Sequence, residues 1–439
     1  ELTRYTDNWL RIKPGTEYLI IGGIIRSIID EGLVNNDFIS LHSLDIDYLK
    51  QATKSFELKT VADKTGVSED NIRKAAQLYS KGPSALLYGL DNIPLDQTDD
   101  LIKAIISLVL VTGNLGKPST GIYPLFDGAN LQGSNDVGCN PDFLPGYLAI
   151  DKKENREVFE EIWGGPIPNH KGYRIRQIKD AILNGKLEAC IVMGDPNAYL
   201  EDDCKLSRDL MKQLKFLVVQ DSLPSEITDI ADVVFPSANF AQKNGTYTNM
   251  ERRIQLLAPA LMIEHHEQPD WWILAKLAIS MDFKGFEFNS WEQICQEISM
   301  TNSIYAGIEP RKLHERSYQW PVPYPDHTGT QTLYENGFDK GGISFKIKPI
   351  DEYKYNKNQS YPFILTSGRV LHQPEIDMQI VRNDKINHIK RDEIVQIHPD
   401  DAGILGIVDG DRVEINSLDE SFMGIANLTS PHQGVISIT

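Results

Sequence analysis

The chain is 439 residues long, 41% hydrophobic and 24% charged, with a formal net charge of −18 and a mean hydropathy of −0.32. At roughly 150 residues per domain it can form about three domains with sizeable cores, and its composition is globular rather than disordered or fibrous. The acidic balance argues against nucleic acid or an anionic membrane as partner, since both need Lys/Arg patches, and the longest apolar runs, such as Ala104–Val111, fall far short of the roughly 18–20 residues of a membrane span.

The first segment alternates helical and extended patterns. Tyr18–Glu31 places Leu19, Ile20, Gly23, Ile24 and Ile28 near a 3.6-residue period and is expected to be helical. Asp45–Lys54 and Ser68–Ser80 repeat that pattern, the latter with Ser68 as N-cap and Glu69 in the first turn. A short strand, Ser84–Tyr88, and an apolar helix, Leu101–Val111, complete the alternation, the helix ending at Gly113. From Thr112 to Tyr147 the sequence is rich in Gly, Asn, Asp and Pro and reads as a loop, too long for an idle connection and therefore expected to bind something.

Two βα units follow: Ala189–Met193 runs into Gly194-Asp195-Pro196, and Phe216–Gln220 runs into Asp221-Ser222. A third strand, Asp232–Phe235, breaks at Pro236-Ser237. Open α/β sheets bind ligands beyond the carboxyl ends of their strands, where such residues give close backbone approach, hydroxyls and acceptors. His265–Ile279 and Trp291–Met300 are helical by period, and Tyr318–Ser360, with clustered Pro and Gly, reads as a linker. Short β segments then recur at Phe363–Thr366, Glu393–His398, Asp411–Ser417, Met423–Thr429 and Gly434–Ile438. The expected fold class is α/β: two Rossmann-like, doubly wound α/β domains followed by a carboxyl-terminal β-barrel, with domains at 1–125, 126–345 and 346–439. Cys139, Cys190, Cys204 and Cys295 lie too far apart for a zinc or iron–sulfur loop and read as buried thiols. Glu1 leads into Leu2–Trp9 without an export signal, so cytoplasmic residence is expected, with membrane association only through a larger complex.

Several ordered segments together resemble one family. Val111-Thr112-Gly113-Asn114-Leu115-Gly116, Asn130-Leu131-Gln132-Gly133 and Leu144-Pro145-Gly146-Tyr147 are similar to the cofactor-facing loop of molybdopterin oxidoreductases, and among them of formate dehydrogenase catalytic subunits. Gln220-Asp221, Ala231–Pro236, Gly245–Arg253, Pro269-Asp270-Trp271-Trp272, His398–Ala402 and Leu405–Asp411 continue the likeness through almost the whole chain. The resemblance implies a bis(molybdopterin guanine dinucleotide) cofactor, bis-MGD, carrying molybdenum or tungsten. By position Gly194, Asp195, Pro196, Gln220, Asp221, Ser237 and Asp270 correspond to the pocket for one guanosine arm. Gly113, Asn114 and Gln132 belong to the cofactor-facing loop, and Gly368 and Arg369 to the barrel's contact with the second arm. The same likeness makes 1–125 the remainder of a pterin-binding domain, 126–345 guanosine-binding, and 346–439 an incomplete cap.

For any one residue there is a plainer reading. Asp270 can be a helix cap, and Glu251-Arg252-Arg253 a solvated ion cluster. The family's amino-terminal [4Fe–4S] cysteines and its metal ligand have no counterpart here. They are expected in a preceding part of a longer subunit or in a partner, and no residue of this chain is assigned to the metal or to catalysis. Where formate dehydrogenases show Arg-Gly-Gln-Asn-Asn after Pro-Leu, this chain has Phe126-Asp127-Gly128-Ala129-Asn130. It also has Asn92-Ile93 in place of a Gln-His pair, and Gln373 where a His is expected. The implied activity is a two-electron oxidoreduction with electrons relayed through iron–sulfur subunits to a flavin, quinone or hydrogenase module. The alternative is a non-catalytic scaffold like the large iron–sulfur subunit of respiratory complex I.

Overall fold

The computed structural model describes all residues except 1, 91, 92, 94, 127, 195–205, 264, 339–342, 351–360, 368–392, 418–420, 431 and 439. They form two compact units: Glu1–Leu125 with the described residues from Thr332 onward, and Phe126–Gln331.

The first unit opens with helices α1 (Glu17–Asp30), α2 (Asn36–Leu41), α3 (Ile46–Ala52), α4 (Leu58–Thr65) and α5 (Glu69–Ser80). Asn35, Asp45 and Ser68 cap α2, α3 and α5, each side chain accepting from a first-turn amide. Strand β1 (Ala85–Gly89), helix α6 (Leu95–Thr112) and strand β2 (Gly121–Leu125) follow, with β1 and β2 paired in parallel. The apolar stripe of α1 builds the core: Tyr18, Ile25 and Ile28 pack with Phe56, Val61, Ile72 and Leu110. Gly22 is required there, because a Cβ would lie 2.1 Å from the Phe56 ring.

The segment expected to be a linker completes this core. Phe345, Ile347 and Ile350 are buried in it, and the Tyr18 hydroxyl both accepts from Lys348 N and donates to Lys348 O, at 2.7 Å each. Proline and glycine content hid an extended segment whose alternate side chains point inward. Nor is Thr112–Tyr147 one long loop, since it contains β2 and elements of the second unit.

The second unit begins with α7 (Leu131–Asp136), the short pair β3 (Phe143–Leu144) and β4 (Leu148–Ala149), and helices α8 (Lys153–Trp163) and α9 (Ile175–Leu183). A parallel sheet of β5 (Ala189–Met193), β6 (Phe216–Asp221) and β7 (Val233–Pro236) runs in the order β5-β6-β7, with α10 (Arg208–Met211) between the first two. The run Phe216–Asp221 is buried through its centre, as an inner parallel strand should be. Strands β8 (Gly245–Thr248), β9 (Arg253–Leu257) and β10 (Tyr318–Gln319) form an antiparallel sheet, with helices α11 (Asp270–Ser280) and α12 (Trp291–Thr301) between β9 and β10. Helix α11 starts five residues later than its period suggested, because Pro269 occupies the cap and stops extension toward His265.

The carboxyl-terminal part of the first unit is a five-stranded mixed sheet of β11 (Ile364–Ser367), β12 (Ile394–Gln396), β13 (Arg412–Asn416), β14 (Ser421–Asn427) and β15 (Val435–Ile438), ordered β11-β15-β12-β14-β13. Among the described residues β11 and β13 do not pair, so the sheet is open and the expected closed barrel is corrected to a half-barrel. A helix the β pattern hid, α13 (Pro399–Leu405), follows β12, capped by His398 and ended by Gly406 in a left-handed conformation. Cys139 is exposed, against expectation, in the Gly-Cys-Asn turn after α7. Cys295 is buried, Cys190 is half-buried, and Cys204 lies outside the described residues.

Candidate cofactor-binding site

In the second unit the carboxyl ends of β5, β6 and β7 bring together Gly194, Gln220, Asp221 and Ser237. The backbone locks them in line: Gly194 N donates to Gln220 O and Ser237 N donates to Asp221 O, both at 2.9 Å. Gly194 takes φ +79°, with open space where a Cβ would stand, so a ligand can approach its backbone. Asp221 Oδ1 accepts from Ser222 N at 2.7 Å and Leu223 N at 3.2 Å, which turns the chain out of β6.

Asp270 joins this edge from the first turn of α11. Its carboxylate does not cap the helix but accepts from Gln220 Nε2 at 2.8 Å and pairs with Lys243. Gln220 is only 1% exposed, and its Oε1 has no hydrogen-bond partner. A buried acceptor left unpaired costs about 1–3 kcal/mol, so this oxygen fits a donor supplied by a bound group. Acceptors on Gln220 and Asp270 suit the N–H edge of a guanine, and the glycine-bearing strand ends suit a pyrophosphate. The donor set therefore fits one arm of the implied cofactor. Lys243 had not been singled out by sequence, although it stands two residues before the Gly245–Arg253 segment.

Gln132 lies elsewhere in the second unit, on α7. Its Nε2 donates to Asp136 Oδ1 at 2.8 Å and to Tyr147 Oη at 2.9 Å, so its carbonyl oxygen is the group left to meet a ligand. Asp136 is fully buried and also accepts from Tyr147 Oη at 2.6 Å and Tyr305 Oη at 2.8 Å, while Thr248 Oγ1 and Tyr305 Oη share a bond of 2.7 Å. Burial pushes the Asp136 carboxyl above its usual range, and the phenol and amide donors oppose the shift. Asn130 Oδ1 accepts from Thr248 N at 2.8 Å, and a side chain at Gly133 would strike that oxygen at 2.2 Å. Much of Asn130-Leu131-Gln132-Gly133 therefore serves to hold the helix in place.

Gly113 and Asn114 lie in the first unit and are engaged internally. Gly113 has φ +62°, and a Cβ there would meet Asn35 Nδ2 at 2.6 Å. Asn114 Oδ1 accepts from Ser84 N at 3.1 Å, and its Nδ2 donates to Tyr79 O at 3.1 Å and Thr112 Oγ1 at 3.0 Å, an arrangement that ends α6 and positions β1. Asp195, Pro196, Gly368, Arg369, Asp91, Asn92, Asp127 and Gln373 lie outside the described residues. Arg252 is no solvated ion: with φ +66° it donates to the carbonyls of Trp320, Thr330 and Gln331 and stacks 5.3 Å from the Trp320 ring. No helix of the described residues is long and apolar enough to cross a membrane.

Residues 1–279 match the model of the molybdopterin oxidoreductase family and residues 363–439 that of the molydopterin dinucleotide binding domain. The chain belongs to the molybdopterin oxidoreductase family. The F420-dependent formate dehydrogenase subunit alpha of Methanocaldococcus jannaschii is 32% identical over 417 residues, covering 94% of this chain and 61% of the relative. The assimilatory nitrate reductase catalytic subunit of Bacillus subtilis is 31% identical, covering 94% of this chain and 60% of the relative. The chain thus spans about three fifths of the length of these curated relatives. Acetylene hydratase from Pelobacter acetylenicus superposes with a TM-score of 0.71 at 17% identity, over 100% of this chain and 65% of the other, a likeness of fold alone.

Proposed function

We propose that this chain is the cofactor-cradling part of a molybdopterin-dependent oxidoreductase catalytic subunit of the formate dehydrogenase-like group, with bis-MGD carrying molybdenum or tungsten. The observation that carries the reading is the strand-end cluster in which Gln220 Oε1 is buried and unpaired beside the Asp270–Lys243 pair. When bound, the cofactor's metal supplies two-electron redox chemistry. The chain's own residues bind and orient. Asp270 and Gln220 Oε1 accept from guanine N–H groups, Lys243 balances the Asp270 charge, Asp221 and Ser237 meet ribose hydroxyls, and Gly194 admits phosphate to the backbone. By the family resemblance Asp195 and Pro196 serve the same guanosine arm, and Gly368 and Arg369 the second arm, where a guanidinium suits phosphate. Gln132 offers its carbonyl to the pterin, while Gly113 and Asn114 hold the loop. The parallel sheets β1–β2 and β5–β6–β7 support a reading of two doubly wound α/β domains at 1–125 and 126–345, with 346–439 as the carboxyl-terminal domain.

Electrons leave through [4Fe–4S] clusters held in a preceding part of the same subunit or in iron–sulfur partner subunits, with a flavin, quinone or hydrogenase module beyond them, and the complex works in the cytoplasm. The scaffold alternative is not favoured, since the relatives compared bear the names of formate dehydrogenases and a nitrate reductase. Metal, pterin and GMP analysis of the purified protein tests the proposal, with molybdenum or tungsten, oxidised pterin and GMP expected together. Folded protein without pterin and GMP overturns it. Dye-linked turnover of formate against nitrate then assigns the substrate.

A further inference from the structure

Asp136 is fully buried, and the partners of its carboxylate are neutral: Gln132 Nε2 and Tyr147 Oη on Oδ1, and Tyr305 Oη on Oδ2. Burying a carboxylate among neutral donors is costly, so packing alone would favour another side chain here. What a carboxylate adds is direction. It accepts and cannot donate, so each neighbour must turn a donor toward it.

That direction is passed outward through two side chains. Gln132 Nε2 uses both its protons inward, on Asp136 Oδ1 and Tyr147 Oη, which leaves its Oε1 facing away. Tyr147 Oη gives its one proton to Asp136 and one lone pair to Gln132, so a second lone pair remains on a residue that is 41% exposed. An edge made of these two groups accepts and does not donate. Tyr147 also holds φ +62°, directly after Gly146 at +73°. A bulky residue keeps a left-handed backbone only where its surroundings over-determine it, and such strain gathers at ligand sites.

On the proposed reading that a pterin binds beside Gln132, we infer that Asp136 is a positioning residue: its carboxylate fixes the Gln132 amide and the Tyr147 hydroxyl as a purely accepting edge, which selects the N–H-bearing side of the pterin ring. Tyr147 thereby becomes a second contact, and the sense of both groups has one cause. A mere strut would instead tie α7 to Tyr305 and have no effect on which way the Gln132 amide faces.

The test measures pterin release from the full-length holoprotein purified from its own cells, in urea below the unfolding transition, by the fluorescence of the oxidised pterin. Gln132→Ala and Asp136→Ala should each speed release about 2- to 12-fold, the worth of one ordinary hydrogen bond. The double variant should release pterin no faster than Asp136→Ala alone, because Asp136 acts through Gln132. Effects that multiply in the double variant overturn the inference. Tyr305→Phe removes the bond on the other carboxylate oxygen. It should lower the melting temperature and leave release unchanged, and release as fast as that of Asp136→Ala again refutes the role. Should Asp136→Ala fail to fold, Gln132→Glu decides: it keeps an acceptor toward the ligand but sets a second carboxyl against Asp136, and the two can share only one proton. Burial raises the Tyr147 and Tyr305 phenols, so neither titrates near neutrality. Release from Gln132→Glu, relative to wild type, should therefore quicken about tenfold as pH rises from about 6 to about 8, and a ratio independent of pH refutes the role. Wild type that carries no pterin overturns the proposed function itself, whereas wild type that carries pterin, with multiplying effects in the variants, overturns the positioning role alone.

Discussion

Replacing Asp270 with Asn separates a ligand contact from a structural strut. The Asp270–Lys243 pair has side chains 29% and 27% exposed, so breaking it should cost folding no more than about 1 kcal/mol, or about 2–4 °C in melting temperature. Binding should suffer far more. Gln220 Nε2 still requires an acceptor, so the Asn carbonyl stays with it and the new NH2 group replaces Oδ2, losing the Lys243 pair and opposing the base donor against donor. Losing a charged hydrogen bond of about 1.5–3 kcal/mol weakens binding roughly 10- to 150-fold. Titration of GMP and IMP into cofactor-depleted protein measures this directly, because IMP lacks the 2-amino group. The wild type should prefer GMP, and the variant should bind both weakly with the preference diminished. If the variant binds GMP like the wild type, guanine recognition by Asp270 is refuted.

Further expectations follow from buried groups. Burial raises the Asp136 carboxyl above its ordinary value of about 3.9, so the native state holds more protons than the unfolded chain just above that value, and its stability falls as pH rises through the window. Relative to Asp136→Asn, the wild type should gain melting temperature as pH is lowered from neutrality toward about 4, as read by calorimetry. Asn114→Ala removes three internal hydrogen bonds and should cost about 2–4 kcal/mol, lowering the urea midpoint at unchanged slope. Burial pushes the Cys295 thiol up to about 12, so mass spectrometry should find Cys139 alkylated in the native protein and Cys295 only after unfolding.

The legible parts of the sequence were those governed by local pattern. The period of Tyr18–Glu31, the cap at Ser68 and the strand runs Ala189–Met193 and Phe216–Gln220 each found their element, because amphipathic spacing and buried parallel strands leave strong one-dimensional signals. Strand-end logic also gathered Gly194, Gln220, Asp221 and Ser237 at one edge. What escaped was non-local. Nothing near Lys243 indicates that its partner is Asp270, 27 residues on. The Asp136 network joins the nearby Gln132 and Tyr147 to Thr248 and Tyr305, which lie more than 100 residues further along the chain. Proline and glycine disguised the inward side chains at Phe345 and Ile347, and an open five-stranded sheet presents the same short alternating strands as a barrel.

The Tyr18–Lys348 contact spans 330 residues of sequence, and it sets an order of events during synthesis. All of Phe126–Gln331 must leave the ribosome before the segment that seals α1 exists. At 5–20 residues per second this takes roughly 10–40 s. Throughout that interval the inserted unit can fold while the apolar faces of α1 and α6 stay partly uncovered. The nascent chain therefore passes through a stage in which these apolar faces are open to chaperones before Phe345, Ile347 and Ile350 cover them.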